Sequence, residues 1–519
     1  MKFTSMAFAT LLVSGSALAI PEGPAPNTPE WFQRELANYA KTVEAPSEQL
    51  ANPDFEVVWQ LRSNSNRDEW NARALADISW VGVPSGNSPN TPAGAQWSSV
   101  ATSDPTRYPD AEGPNGRSFY ENEAEAITVV FYDAGCSRVS AKLWRPRSWK
   151  AGDATLPGVV IQNGSIQASQ TMYWWMAQRL VREGYVVMTF DPRGQGRSDL
   201  QTPTATQGGN INSDVFFSGM VNTIDFFRSS LVAPYPHNLT CAGTYPTEVA
   251  PFNPFFRMID PERFGIAGHS LGAAGISSVQ GYAGDAFTFP DANGGNPVDV
   301  LVAWDALGLD PDAPPRVPAM GQTSEYSIGG APKATTPDPE GHKASYIGYR
   351  DTGVPVFQFT IQGSTHFEWS LIPGFPTTSW CPDMSSGSCL GGWGAPMAEY
   401  YTLAWLDRWL KKAGERGYAD ADARLLDDAG EHGLAKMSFY SRSARSFPTR
   451  TGVMQVCEDI RAGCPAAATP PPVVPPVTAP GTTAGGAIAG LGRLGGGGAF
   501  CAFGLLLALA LRQRRSARP

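Results

Sequence analysis

A serine hydroxyl attacks a carbonyl at neutral pH only when a base stands ready to take its proton and a third group orients that base. Ser270 sits where such an arrangement could be built, inside Gly268-His269-Ser270-Leu271-Gly272. Residues 263–267 (RFGIA) read as a short buried strand, and residues 271–282 (LGAAGISSVQGY) as a helix rich in small residues. Gly-x-Ser-x-Gly between a strand and a helix is the setting of a nucleophile elbow, a turn so tight that its outer positions must lack bulk. In a chain with 55 glycines the pentapeptide alone is a weak signal. The flanking strand and helix set it apart from a plain glycine turn.

The base has few candidates, because the chain holds five histidines. His269 lies inside the elbow, points away from the serine side and reads as structural. His237 falls in a Pro-rich loop, His342 in a polar loop, and His432 beyond the last amphipathic helix. His366 follows the apolar run 354–361 (VPVFQFTI) after the short loop Gln362-Gly363-Ser364-Thr365. That order places it at the carboxyl edge of a sheet, the edge on which Ser270 also falls. The alternative for His366 is a loop histidine bonded to a neighbouring carboxylate such as Glu368.

The elements that must position these groups become regular from residue 126. Residues 127–132 and 139–144 alternate around Asp133-Ala134-Gly135 and predict a hairpin. The continuous apolar run 156–161 predicts a strand buried on both faces, 185–190 another buried strand, and 298–304 and 354–361 later strands. Helical patterns at 172–182, 213–229 and 397–410 separate them. Strands alternating with helices imply an α/β fold with a doubly wound, mainly parallel sheet. The segment 185–190 ends in Asp191-Pro192-Arg193-Gly194-Gln195-Gly196-Arg197-Ser198-Asp199, whose first four residues read as structural, fixing a turn.

The elbow, this strand end and the order of the remaining elements resemble the α/β-hydrolase superfamily over roughly residues 126–413. The resemblance implies a Ser–acid–His order along the chain. Asp305 ends the strand 298–304 and falls on the edge of Ser270 and His366, so it is the candidate acid. Asp351 precedes the next strand and falls at the opposite edge. Asp310 and Asp338, in loops, remain possible. In many relatives the acid follows one further strand, and the residues between Asp305 and Val354 show no clear strand pattern. A strand-end aspartate also caps turns. For a tetrahedral intermediate the backbone N–H of Leu271 supplies one oxyanion donor. The other comes from the loop Gln162-Asn163-Gly164-Ser165-Ile166, where many relatives carry His-Gly; by position it is Ser165, with Ile166 next.

The resemblance implies a serine hydrolase of the esterase or lipase type, acting on carboxylic esters through an acyl-enzyme, without a cofactor. A peptidase of the same superfamily and a non-catalytic surface binding protein are the alternatives. An aspartate-based dehalogenase is disfavoured, since Ser270 stands where those relatives carry aspartate. Segments 201–261 and 306–353 are long enough to cap the site, the second with Met320, Tyr326 and Ile328. Tyr173, Trp174, Trp175 and Trp369 fall near the catalytic edge and suit an apolar acyl or aryl group; core packing is their other reading.

Composition bounds the rest. A net charge of -9 argues against nucleic acid, which wants a basic face. Lys2, an apolar run at 6–13 and Ala17-Leu18-Ala19 read as a secretory signal over residues 1–19, against a buried first helix. Cys136, Cys241, Cys381, Cys389, Cys457 and Cys464 are an even set suited to an oxidising compartment. Cys381 with Cys389 and Cys457 with Cys464 close short loops, and Cys136 with Cys241 follows by elimination. No Cys-x-x-Cys or His-rich spacing points to a metal.

Residues 20–125 form an N-terminal extension expected to pack on a catalytic domain at 126–466, whose last part carries cysteines. Residues 467–494 are a Pro/Gly-rich linker. Residues 495–519 run from a glycine stretch through an apolar segment containing Cys501 to an arginine cluster, barely reaching the length of about 17 residues that a membrane helix needs. This tail resembles the Gly-Gly C-terminal sorting signal of Gram-negative bacteria, which implies processing by a rhomboid-type sorting protease (rhombosortase) and a body held at the cell surface; a simple membrane anchor is the alternative.

Overall fold

The computed structural model describes residues 28–30, 33, 119–165, 169–209, 212–305, 307–326, 338–366, 368–370, 393–438 and 440–465. The signal segment 1–19, nearly all of the extension 20–125, the tail 467–519, Cys381, Cys389 and Ile166 lie outside them.

Ten strands form one sheet in the order β1-β2-β4-β3-β5-β6-β7-β8-β9-β10. They are β1 (Ala124–Tyr132), β2 (Arg138–Pro146), β3 (Leu156–Gln162), β4 (Val186–Phe190), β5 (Ile259–His269), β6 (Val300–Trp304), β7 (Ala319–Ser324), β8 (Val356–Ile361), β9 (Ala444–Pro448) and β10 (Met454–Cys457). The middle of the sheet, from β4 to β8, is parallel. Antiparallel pairs flank it on both sides. The arrangement is α/β, with a mixed and mostly parallel sheet.

Side chains of a strand alternate between faces, and here both faces are covered. Val159, Ile161, Val300, Val302 and Trp304 belong to one core with α1 (Trp174–Arg182), α6 (Gly394–Leu410) and Leu425 of α7 (Ala421–Leu426). Val160, Leu301 and Ala303 belong to the other, with α2 (Ser218–Arg228), α4 (Leu271–Val279) and α5 (Ala344–Asp351). This double burial is why the central strands read as unbroken apolar runs. A short helix, α3 (Pro236–Thr240), lies beside β1, where Asn238 Oδ1 accepts the Tyr132 N–H at 2.7 Å.

Two features depart from the sequence expectation. A strand, β7, does stand between Asp305 and Val354, which corrects the expectation that none does. It escaped notice because AMGQTS carries neither an apolar run nor alternation, although five of its six residues are buried. The helix expected over 213–229 is divided into a 3-10 turn, Ser213–Phe216, and α2 from Ser218. Disulfides join Cys136 to Cys241 and Cys457 to Cys464.

Candidate active site

The chain leaves β3 toward β4 on one side and returns to β5 on the other, so β3 and β5 flank the point where strand order reverses. In open α/β sheets the crevice outside the carboxyl ends of the strands at such a point receives ligands. Ser270 lies at that point, directly after β5 and before α4.

The elbow is held in a backbone conformation that costs energy. Ser270 has φ 57° and ψ -124°, a region that residues with a Cβ rarely occupy. Its N–H donates to the Trp304 carbonyl at 3.0 Å and its carbonyl accepts from Ala274 N at 3.0 Å, which ties the turn to β6 and α4. The outer glycines follow from crowding. A Cβ on Gly268 would stand 2.8 Å from the Gly272 carbonyl oxygen, and one on Gly272 would run into the Asn163 carbonyl.

Ser270, His366 and Asp305 come together. His366 Nε2 is 2.8 Å from Ser270 Oγ, and His366 Nδ1 is 2.5 Å from Asp305 Oδ2. An ionised carboxylate only accepts, so Nδ1 carries the proton and Nε2 faces the serine hydroxyl as an acceptor. Asp305 follows β6 with φ 58°, and its side chain is 8% exposed. Burial raises its carboxyl, but the hydrogen bond and attraction of His366 and the donors of Ser324 outweigh burial and hold it below the usual range. Ser324 ends β7, donating its N–H to Asp305 Oδ1 at 2.7 Å and its hydroxyl to Oδ2 at 2.8 Å. Ser324 was invisible in the sequence for the same reason as its strand.

The loop carrying His366 is clasped to the end of β7. Gly363 N donates to Glu325 Oε2 at 2.6 Å, and Tyr326 N to the Ser364 carbonyl at 3.0 Å. Asp351 ends α5 at the opposite edge, beside Arg350. Asp338 and Asp310 accept backbone N–H groups of Glu340 and Asp312, in turns of their own.

His269 is 2% exposed and turned under the elbow. Burial and the nearby His366 lower its pKa to about 3, so it stays neutral and does not compete as a base. The other histidines lie elsewhere: His237 in α3 against Tyr235, His342 on Thr360 and His432 against Tyr400.

Leu271 opens α4, where the first N–H groups have no acceptor within the helix. Loop 163–165 runs beside Ser270: a Cβ on Gly164 would lie 3.2 Å from Ser270 Cβ. Gly164 N donates to Tyr173 Oη at 3.0 Å, and Ser165 is the next residue, partly exposed. Tyr173, Trp174, Trp175 and Trp369 are all core residues, 1%, 5%, 4% and 0% exposed. They pack in the core; Trp175 also borders a cleft with Gln178, Arg179 and Tyr400 that does not include Ser270, and Met320 is likewise a buried residue of β7.

Among the described residues no group of three or more His, Cys, Asp or Glu could hold a metal ion, and no helix is long and apolar enough to cross a membrane. No family model matches the chain, and no curated protein matches it.

Proposed function

We propose that the protein is an exported serine hydrolase of the α/β-hydrolase type that cleaves carboxylic esters through an acyl-enzyme on Ser270. The observation that carries this reading is the continuous hydrogen-bonded chain Ser270–His366–Asp305 at the strained end of a central parallel strand. Ser270 Oγ attacks the ester carbonyl carbon while its proton passes to His366 Nε2. The carbonyl oxygen, now negative, is met by the N–H groups of Leu271 and Ser165. Since Gly164 gives its N–H to Tyr173, Ser165 is the better-placed residue of that loop. The intermediate collapses, the C–O bond to the alcohol breaks, and His366 returns the proton to the leaving oxygen. Water then repeats the sequence: it loses a proton to Nε2, attacks the acyl carbon, and Ser270 leaves with that proton. Asp305 stays ionised throughout and holds the imidazole in one tautomer.

The two disulfides support export into an oxidising compartment. The expectation of an apolar acyl or aryl group rests on Tyr173, Trp174, Trp175 and Trp369; with those rings in the core that support is lost, and the proposed substrate is a carboxylic ester whose acyl group the ester series below would define. Surface retention by a sorting protease acting on residues 495–519 is proposed on the sequence of the tail alone.

The test is fluorophosphonate labelling of the exported protein, read by peptide mass spectrometry, beside Ser270→Ala and His366→Ala. Labelling on Ser270 in the wild type and in neither variant is the expected result, followed by hydrolysis of p-nitrophenyl esters of graded chain length. Folded wild-type protein that neither labels nor hydrolyses would leave the non-catalytic binding protein as the better account, and turnover of amides over esters would favour the peptidase.

A further inference from the structure

Beneath the elbow, three hydrogen bonds join two loops that the proposed reaction uses for different purposes. Gly164 N donates to Tyr173 Oη at 3.0 Å. Tyr173 Oη lies 2.8 Å from His269 Nδ1. His269 Nε2 lies 2.8 Å from the backbone carbonyl oxygen of His366. Their direction is fixed by what each atom can do. A carbonyl oxygen only accepts, so His269 Nε2 carries the hydrogen; a neutral ring then presents Nδ1 as an acceptor; the tyrosine hydroxyl donates to it and accepts from Gly164. All donors and acceptors match in this one arrangement.

We propose that Tyr173 and His269 are positioning residues, a buried strut that sets the spacing between the loop 163–165 and the backbone of His366. It rests on the hydrolase reading above. One end of the strut reaches the source of the second oxyanion donor, and the other reaches the residue that takes the serine proton. The two must be in place at the same instant, and a displacement of about 1 Å can cost two orders of magnitude in rate.

The strut is built to be stiff. Tyr173 closes the 3-10 turn Gln170–Tyr173 just before α1, and its ring stacks on Trp304 at 6.3 Å and 5°, the residue that precedes Asp305. His269 is the last residue of β5, and its ring lies 4.7 Å from that of His366. Tyr173 and His269 are 1% and 2% exposed, so water does not compete for their bonds. Gly164 is wedged among the same groups: a Cβ there would meet Ser270 Cβ at 3.2 Å, His269 Nδ1 at 3.3 Å and Tyr173 Oη at 3.3 Å.

The experiment compares kcat and KM for a p-nitrophenyl ester, and the rate of fluorophosphonate labelling, in the full protein and in Tyr173→Phe, His269→Gln, His269→Leu and the Tyr173→Phe/His269→Gln double variant. Thermal unfolding is recorded to confirm that each is folded at the assay temperature. Tyr173→Phe is expected to lower kcat by roughly ten- to a hundredfold with KM within about twofold. His269→Gln keeps an amide N–H for the His366 carbonyl and is expected to retain clearly more activity than His269→Leu. Because the two residues act in series, the double variant should lose about as much as the worse single. Wild-type kcat in Tyr173→Phe, equal losses in the Gln and Leu variants, or losses that multiply in the double would each overturn the strut. If Tyr173→Phe does not fold, the Gln and Leu comparison decides alone. A wild type that neither labels nor turns over ester overturns the hydrolase reading and the strut with it, whereas an active wild type with indifferent variants overturns the strut only.

Discussion

At the scale of single residues the site turns on how Asp305 keeps its charge while buried. Desolvation favours the neutral acid, and the hydrogen bond and attraction of His366 together with the donors of Ser324 reverse that preference. Asp305→Asn removes the charge and frees the wrong imidazole tautomer, so kcat should fall by roughly three to four orders of magnitude with the fold retained. Ser324→Ala removes one donor while leaving its N–H; by the usual worth of a hydrogen bond to a charged group, the cost is about 1.5–3 kcal/mol at most. Its pH dependence identifies the cause. A carboxyl whose folded pKa is depressed contributes stability above its unfolded value, near 3.9, and loses it as pH falls through the folded one. The deficit of Ser324→Ala in urea unfolding should therefore be largest near neutral pH and shrink under acid as Asp305 protonates. A deficit that does not change with pH would assign Ser324 a packing role only.

Elements differ in how plainly they announce themselves. β3, β4, β6 and β8 are buried on both faces, so their apolar runs were readable, and with them the edge that gathers Ser270, His366 and Asp305. β7 is equally central but polar. Gln322 survives there because its amide donates to Thr402 Oγ1 at 3.0 Å and accepts Trp369 Nε1 at 2.8 Å. Those partners come from residues 47 and 80 positions away, which no local pattern can display. The same blindness hid Ser324 and the shared role of Tyr173 and His269, whereas Ser270 and His366 stood out because a tight turn and a strand end have local signatures. β9 and β10 extend the sheet at its β8 edge, and Cys457–Cys464 closes their end. The two disulfides should matter unequally. Cys136–Cys241 spans 105 residues and ties the β1–β2 hairpin to the end of α3, while Cys457–Cys464 spans 7. On the chain-entropy account the first contributes about 4.7 kcal/mol and the second about 2.4 kcal/mol. Paired Cys→Ser variants compared by denaturant midpoints check the order; a larger loss from the short loop would mean that local strain, not chain entropy, decides.

Across the whole molecule, the β5–β6 pair carries two groups that titrate in opposite senses at its two ends, the exposed Asp299 and the buried His269. Asp299, before β6, accepts the Phe264 N–H at 2.7 Å, and partial desolvation of its carboxyl outweighs that bond and the attraction of Arg316 and Arg228 to push its pKa up to about 6. His269, at the other end, is lowered to about 3 by burial and by His366, against the pull of Asp305. For Asp299 the folded state holds a proton that the unfolded chain releases above its ordinary value, so its contribution to stability falls as pH rises from about 4 toward 6. For His269 the unfolded chain takes up a proton below about 6.5 that the folded state refuses, so its contribution falls as pH drops toward 3. The buried His269 can tilt the stability curve by up to about 1.4 kcal/mol per pH unit, whereas solvent screening makes the opposing tilt of the exposed Asp299, between about pH 4 and 6, the shallower one. Asp299→Asn keeps the acceptor for Phe264 and should gain on the wild type as pH rises through that window. His269→Gln should gain on it as pH falls. Urea unfolding of the three proteins at intervals across the window gives two difference curves of opposite slope; parallel or flat curves would mean that the unfolded chain, or water reaching one end of the pair, already levels the two groups. The sense of each slope also bears on the strut, because a His269 that stays neutral to low pH keeps its one hydrogen on the His366 carbonyl throughout the range in which an ester hydrolase would work.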